Sequence, residues 1–181
     1  MVFQRKGRVA TCVIGAVLFC LLAVPLANSA SSRARVTSVS ALDSQVLREV
    51  NLVRAQHGLK PLFNSSPLAK AAARHSRSMA TDGYFAHESS DGSVFWERIK
   101  AFYSASGHSY WAVGENLVWA SPNLTAKQAV KMWMNSPPHR ANLLSEKWRE
   151  IGLSAVYSSS APGDYQDRAA TIVTADFGVR R

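Results

Sequence analysis

The chain has 181 residues, 21 of them basic and 12 acidic, giving a formal net charge of +9; 47% are hydrophobic and two are cysteine. That length supports one domain around a single sizeable core. No dense run of lysine and arginine with interleaved aromatics occurs, which sets nucleic acid aside as a partner.

Arg5, Lys6 and Arg8 open the chain as a basic segment. An apolar stretch follows from Val9 to Leu26, with Pro25 near its end, and the small residues Ala27, Ser29 and Ala30 come next. Basic, then apolar, then small is the layout of a secretory signal peptide, placed here at residues 1–30, with cleavage after Ala27, Ser29 or Ala30. The alternative is an uncleaved anchor, because the apolar stretch approaches bilayer-spanning length. Phe19 directly before Cys20 suits lipid attachment poorly. Both cysteines, Cys12 and Cys20, lie in this segment, so a mature chain carries no disulfide, and its net charge falls to +6. The expectation is a secreted or extracytoplasmic protein without a stable membrane span in its mature form. Its basic charge favours anionic envelope polymers or lipid head groups and equally serves solubility.

Residues 31–41, rich in serine and arginine, read as a flexible lead-in to a domain over 42–181. Leu42, Val46, Val50 and Val53 recur at helical spacing, and Gly58 supplies a stop. Ser66-Pro67 starts a second helix, which runs through an alanine-rich stretch to Asp82-Gly83. A shorter helix is expected over Val94–Phe102. Another starts at Thr125, where Thr125 and Gln128 have capping-box spacing, and continues to Pro137. Trp111–Trp119 has room for a short strand. Ile151, Leu153, Ala155 and Tyr157 alternate as a strand does, and so do Val173, Ala175 and Phe177 within Thr171–Val179. Ser158–Asp167 reads as the loop of a long hairpin. Helices early and strands late predict an α+β domain with an antiparallel sheet.

An ordered set of short segments gives a more specific reading. These are Asn51 and Arg54 followed by His57-Gly58-Leu59-Lys60-Pro61-Leu62, then His75-Ser76, and then Tyr84-Phe85-Ala86-His87. Gly114-Glu115-Asn116-Leu117, Trp133-Met134-Asn135-Ser136-Pro137-Pro138-His139-Arg140-Ala141-Asn142-Leu143-Leu144, Arg149-Glu150-Ile151-Gly152-Leu153 and Asp176-Phe177-Gly178 complete it. Over about Leu42 to Phe177 the chain resembles the bacterial form of the CAP superfamily, the SCP-like group of cysteine-rich secretory and pathogenesis-related proteins. The resemblance implies an α-β-α sandwich with a central antiparallel sheet, and a cleft where two histidines and acidic residues converge. The matching positions are His87, His139 and Glu115. The chain departs from many eukaryotic members in lacking their disulfides and a second glutamate, with Ser136 near the corresponding place.

Two imidazoles and a carboxylate suit zinc or another divalent cation with one open position. The competing reading is a hydrogen-bonded polar cluster in which Glu115 accepts from an imidazole. Ser136 near His139 reads better as a cap and turn than as a nucleophile. His75 is expected to pack or hydrogen-bond, His108 to be solvated, and Asn51 and Arg54 to tie the first helix to its neighbours. The tryptophans, Trp96 included, read mostly as core. The leading functional expectation is a non-enzymatic extracellular binding domain for a lipid-like small molecule or a cell-envelope component. The alternative is a metal-dependent, peptidase-like hydrolase using His87, Glu115 and His139, and a third is a structural protein attached to the envelope through charge.

Overall fold

The computed structural model describes residues 35–181. The expected signal peptide, with Cys12 and Cys20, lies outside the described residues.

The spine of the fold is β5 (Arg168–Arg180), buried without a break from Ala170 to Val179. A strand buried along both faces must be covered on both. It pairs antiparallel with β4 (Glu150–Ala161) on one side and with β3 (Trp111–Ala120) on the other. β1 (Val36–Ser38) adds antiparallel to the far edge of β4, and the two-residue β2 (Phe63–Asn64) pairs parallel with the start of β4. The strand order is β1-β4-β5-β3.

Alternation along these strands sorts residues to two helical layers. Ile151, Leu153, Ala155, Val173, Ala175 and Phe177 face one layer. It consists of α1 (Ser40–Gln56), α4 (Ala126–Asn135) and α5 (Pro137–Leu143), which present Val46, Val50, Val130, Trp133 and Leu143. Leu117, Val156 and Ile172 face the other layer, α2 (Ser66–Asp82) and α3 (Phe95–Phe102), which presents Met79 and Ala80, with Leu68, Ala71 and Ile99 packing around Tyr103. The result is an α+β, α-β-α arrangement around an antiparallel sheet, as expected. α2 lies so close to the sheet that a Cβ on Gly152 would stand 2.0 Å from the Ala69 nitrogen. Its Ser76 hydroxyl, buried at the same layer boundary, donates to the Ser154 carbonyl at 2.9 Å.

The ends of the helices follow their sequence signals. Thr125 caps α4 in a full capping box with Gln128, and Gly83 closes α2 in the left-handed conformation. Asn51 binds both polar groups of the Leu62 backbone. Arg54, 1% exposed, donates to the carbonyls of Lys60, Leu143 and Ser145. These two residues tie α1 to its neighbours, as expected.

Several expectations need correction. Val36–Ser38, inside the expected lead-in, is a strand paired with Ser158–Val156, and α1 begins at Ser40 rather than Leu42. The short strand expected over Trp111–Trp119 is a ten-residue strand. β4 continues through a register shift to Ala161, so strand occupies the start of the expected hairpin loop. Trp96 is 41% exposed and lies outside the core. No helix among the described residues is long and apolar enough to cross a membrane.

β3 is an edge strand, and exposed edges invite unwanted pairing. Here the outward carbonyls of Leu117 and Glu115 accept from Trp133 Nε1 (2.9 Å) and Asn142 Nδ2 (3.1 Å). Side chains of α4 and α5 thus cap the edge and hold the α1, α4 and α5 layer against the strand that carries Glu115.

Candidate functional site

The Gly114-Glu115-Asn116 segment lies on β3, and each residue has a separate physical reason. Gly114 faces the Trp148 ring, where an added Cβ would come within 2.7 Å of the indole. Asn116 points to the α5 side, donating to the His139 carbonyl at 3.0 Å and accepting from Asn142 at 3.0 Å. Glu115 points to the α2/α3 side, with its side chain 1% exposed.

Glu115 gathers partners from three segments. His87, in the connection between α2 and α3, donates from Nδ1 to Oε1 at 2.8 Å. Arg98 of α3 donates from Nη2 to Oε2 at 2.5 Å, and its own side chain is 2% exposed. His75 of α2 holds Nε2 at 4.0 Å from Oε2 while bonding the Ala86 carbonyl at 2.9 Å. The His87 connection is fixed further by Arg98 Nη1, which donates to the His87 carbonyl and to Ser89 Oγ. Its start is held by Phe85 N–H donating to Asp164 and by Tyr165 Oη donating to the Tyr84 carbonyl.

The electrostatics follow from that contact set. Burial alone would raise the Glu115 pKa, but the bond from His87 and the charge of Arg98 outweigh it and hold the carboxyl below its ordinary range. The same bond raises the His87 pKa against a smaller burial effect. Burial, more than any charge, pushes His75 down to about 4, so it is neutral at physiological pH. Glu115 is acceptor-only when ionised, so His87 carries its proton on Nδ1 and leaves Nε2 free when neutral. The His87 side chain is 45% exposed.

Asp176 stands directly across from Glu115 on β5. The outward turn of the Glu115 carbonyl makes this a non-hydrogen-bonded ladder position, where facing side chains approach most closely. Asp176 is fully buried, and neither carboxyl oxygen has a hydrogen-bond partner among the described residues. Burial first, then the Glu115 charge, raises its pKa well above the ordinary value. One guanidinium thus stands against one carboxylate, Glu115, while burial and that neighbouring charge both disfavour ionisation of the second acid.

His139 sits on α5, partly exposed, its pKa lowered by burial and then by the charge of His87. Its imidazole lines a cavity of about 280 Å³ with Phe85, Leu117, Trp119, Met132 and Ser136. The cavity is mostly apolar in its side chains. Phe85, Trp119 and Tyr165 form an edge-to-face aromatic cluster behind it, with the Trp119 and Tyr165 centroids 4.9 Å apart. Ser136 precedes α5 but makes no side-chain cap bond.

The structure therefore brings His87 and Glu115 into direct contact, while His139 lies on α5 at the wall of the apolar cavity. Among the described residues, no three histidine, cysteine, aspartate or glutamate side chains are grouped to hold a metal ion. Glu115 has one oxygen on His87 and the other on Arg98, a fixed cation. Of the expected set of His87, His139 and Glu115 for zinc or another divalent cation, Glu115 therefore has both oxygens already engaged by hydrogen bonds. The imidazoles of His87 and His139 are the remaining metal-type donors, with Glu115 behind His87 as its hydrogen-bond partner.

Arg98 and Asp176 are site residues that sequence reasoning misses. Arg98 shares the inward stripe of α3 with Phe95, Ile99 and Phe102 by helical spacing, and a basic residue in such a stripe is a usable signal. Asp176 lies on the strand face opposite Val173, Ala175 and Phe177, and nothing local marks its partner.

Comparisons with known proteins agree with this architecture. Residues 47–177 match the family described as the Cysteine-rich secretory protein family, CAP. The uncharacterized protein YkwD of Bacillus subtilis (strain 168) is 37% identical over 124 residues, 68% of this chain and 46% of that protein. The uncharacterized membrane protein YlbC of the same organism is 31% identical over 112 residues, 61% of this chain and 30% of that protein. The chain thus matches less than half the length of either relative. An extracellular protein containing a SCP domain from Bacillus anthracis superposes with a TM-score of 0.59 at 26% identity, covering 78% of this chain and 41% of that one. An outer surface protein from Borrelia burgdorferi gives 0.64 at 18% identity, covering 82% and 99%, a likeness of fold alone. With its match spanning most of the described domain, the chain belongs to the CAP, or cysteine-rich secretory protein, family.

Proposed function

We propose that this is an extracytoplasmic, non-enzymatic binding domain whose cleft takes the apolar part of a lipid-like or envelope-derived ligand. The observation that carries the reading is the cavity beside His139. Phe85, Leu117, Trp119 and Met132 give it apolar walls, and Met132 is 46% exposed at its rim. Ligand sites are commonly apolar concavities with a few polar groups fixing orientation. His139, together with the free Nε2 of His87, supplies those groups for a polar head. Location outside the cytoplasm is supported by the leader-like N-terminus and by the extracellular Bacillus anthracis protein of similar fold.

The chemistry of the polar cluster supports binding over turnover. Among the described residues no serine or threonine hydroxyl hydrogen-bonds a histidine, and Glu115 is pinned between His87 and Arg98 rather than turned toward the cleft. The test is titration of the protein with a fluorescent fatty acid, in the wild type, Met132→Glu and Glu115→Gln. Saturable binding that weakens at least tenfold in Met132→Glu and survives in folded Glu115→Gln is expected. Peptide cleavage abolished by chelator and by Glu115→Gln, with no saturable lipid binding, would establish the hydrolase reading instead.

A further inference from the structure

Where α1 ends and α5 gives way to β4, the domain carries positive charge that the fold leaves unneutralised. Arg54 is 1% exposed, yet no carboxylate lies within ion-pair distance of it among the described residues; the ion pairs found there all belong to Glu115. A guanidinium has five N–H groups. Arg54 uses three, from Nε to Lys60 O (2.9 Å) and from Nη1 to Leu143 O (2.7 Å) and Ser145 O (3.0 Å). Nη2 has no protein partner among the described residues, and it is not a sealed orphan. Arg54 lines a cavity of about 330 Å³ together with Gly58, Lys60, Glu146 and Arg149.

Arg149 repeats the pattern. Its Nη1 donates only to backbone carbonyls, those of Glu146 at 2.7 Å and Trp148 at 2.9 Å. Its charge is felt at Arg54, where it adds to burial in lowering that group's pKa. Two guanidinium groups that repel each other across one cavity, with Lys60 on the same wall, would be relieved by an anion between them. Among the described residues Glu146 is the one acid on this wall, and it pairs with none of them.

We infer that this cavity is a binding site for a phosphate group, held by Arg54 Nη2 and Arg149 with Lys60 closing over it. Guanidinium forks match tetrahedral oxyanions in geometry as well as charge. The cavity exceeds the space one phosphate needs, given that a water molecule occupies about 30 Å³. It therefore suits a phosphate carried on a larger molecule, such as an anionic phosphodiester polymer, as well as the free ion. The site lies apart from the His87–Glu115 cleft and does not depend on the function proposed for it.

The test is calorimetric titration of the full chain at constant ionic strength with inorganic phosphate and, separately, with polyphosphate. Arg149→Gln and Lys60→Gln are compared with Lys127→Gln, an equal charge change at an exposed position of α4. All three substituted residues are exposed, so the fold is retained, and circular dichroism checks it. Saturable binding at least tenfold weaker in Arg149→Gln, weaker in Lys60→Gln and unchanged in Lys127→Gln is expected. A selective loss seen chiefly with polyphosphate assigns a polymeric ligand, and equal affinities for both probes assign the free ion. No saturable binding of either probe, or equal weakening in all three variants, overturns the site.

Discussion

Glu115 is the residue on which the cleft's electrostatics turn. It is buried, ionised, and in contact with a fixed cation on one oxygen and an imidazole on the other. Removing one partner of a buried pair leaves the other uncompensated, which costs far more than the pair's net contribution. Glu115→Gln strands Arg98, whose Nε already lacks a partner, and is expected to lower unfolding free energy by about 3 kcal/mol. The same change removes the main cause of the raised His87 pKa. NMR titration of the His87 ring should therefore show a lower pKa in the variant. An unchanged His87 titration would mean that Glu115 does not set its protonation. The sequence offers His87 and Glu115 through motif resemblance alone, since 28 positions separate them. Arg98 and Asp176 stay hidden in it because their importance lies in contacts between elements, and local spacing does not encode those.

Elements are more legible than contacts, for reasons visible in particular residues. Thr125 and Gln128 announce the start of α4 because a capping box is local chemistry. Leu42, Val46 and Val50 announce α1 because a helix turns every 3.6 residues. β1 has no such mark. Three residues are too few for a period, and Val36–Ser38 is strand only because Ser158–Val156 offers a free edge. Layer spacing also hides in the sequence, as Gly152 illustrates. It looks like one more small residue in β4, yet it is where the backbone of α2 meets the sheet. An alanine there would place its Cβ 2.0 Å from Ala69 N and 2.1 Å from Leu68 C, atoms of a helix backbone that cannot rotate away. Gly152→Ala should then force α2 off the sheet and destabilise the fold by about 3 kcal/mol or more. Gly58→Ala makes a fair comparison, since nothing lies within 4 Å of its Cβ position and only its positive φ resists substitution. Urea unfolding of both variants checks the claim, and equal losses would contradict the close α2–β4 approach.

At the scale of the whole molecule, buried titratable groups set how stability depends on pH, and they pull in opposite directions. His75 has its pKa pushed down to about 4, chiefly by burial. As pH falls from about 7, the unfolded chain takes up this proton near 6.5 while the folded one resists until about 4. The stability His75 contributes is therefore complete above 6.5 and lost on the way down to 4. Asp43, which accepts from the Ala155 N–H, has its pKa raised to about 6, again chiefly by burial. Its folded form takes the proton first, so its contribution is present below the ordinary carboxyl value and lost as pH rises through 6. The raised Asp176 works in the same sense as Asp43. Asp43 is partly exposed, and solvent screening discounts its share, whereas the His75 side chain is wholly buried. The His75 contribution is isolated by His75→Gln, which keeps an N–H donor for the Ala86 carbonyl and removes the titration. Linkage gives about 1.4 kcal/mol for each pKa unit. Between about pH 7 and pH 4 the variant should therefore lose about 3 kcal/mol less stability than the wild type, whatever the other groups add to both. Urea unfolding at a series of pH values across that window measures this difference directly. Parallel curves would mean that His75 protonates as readily in the folded protein as in the unfolded chain, and that the cluster around Glu115 is open to solvent.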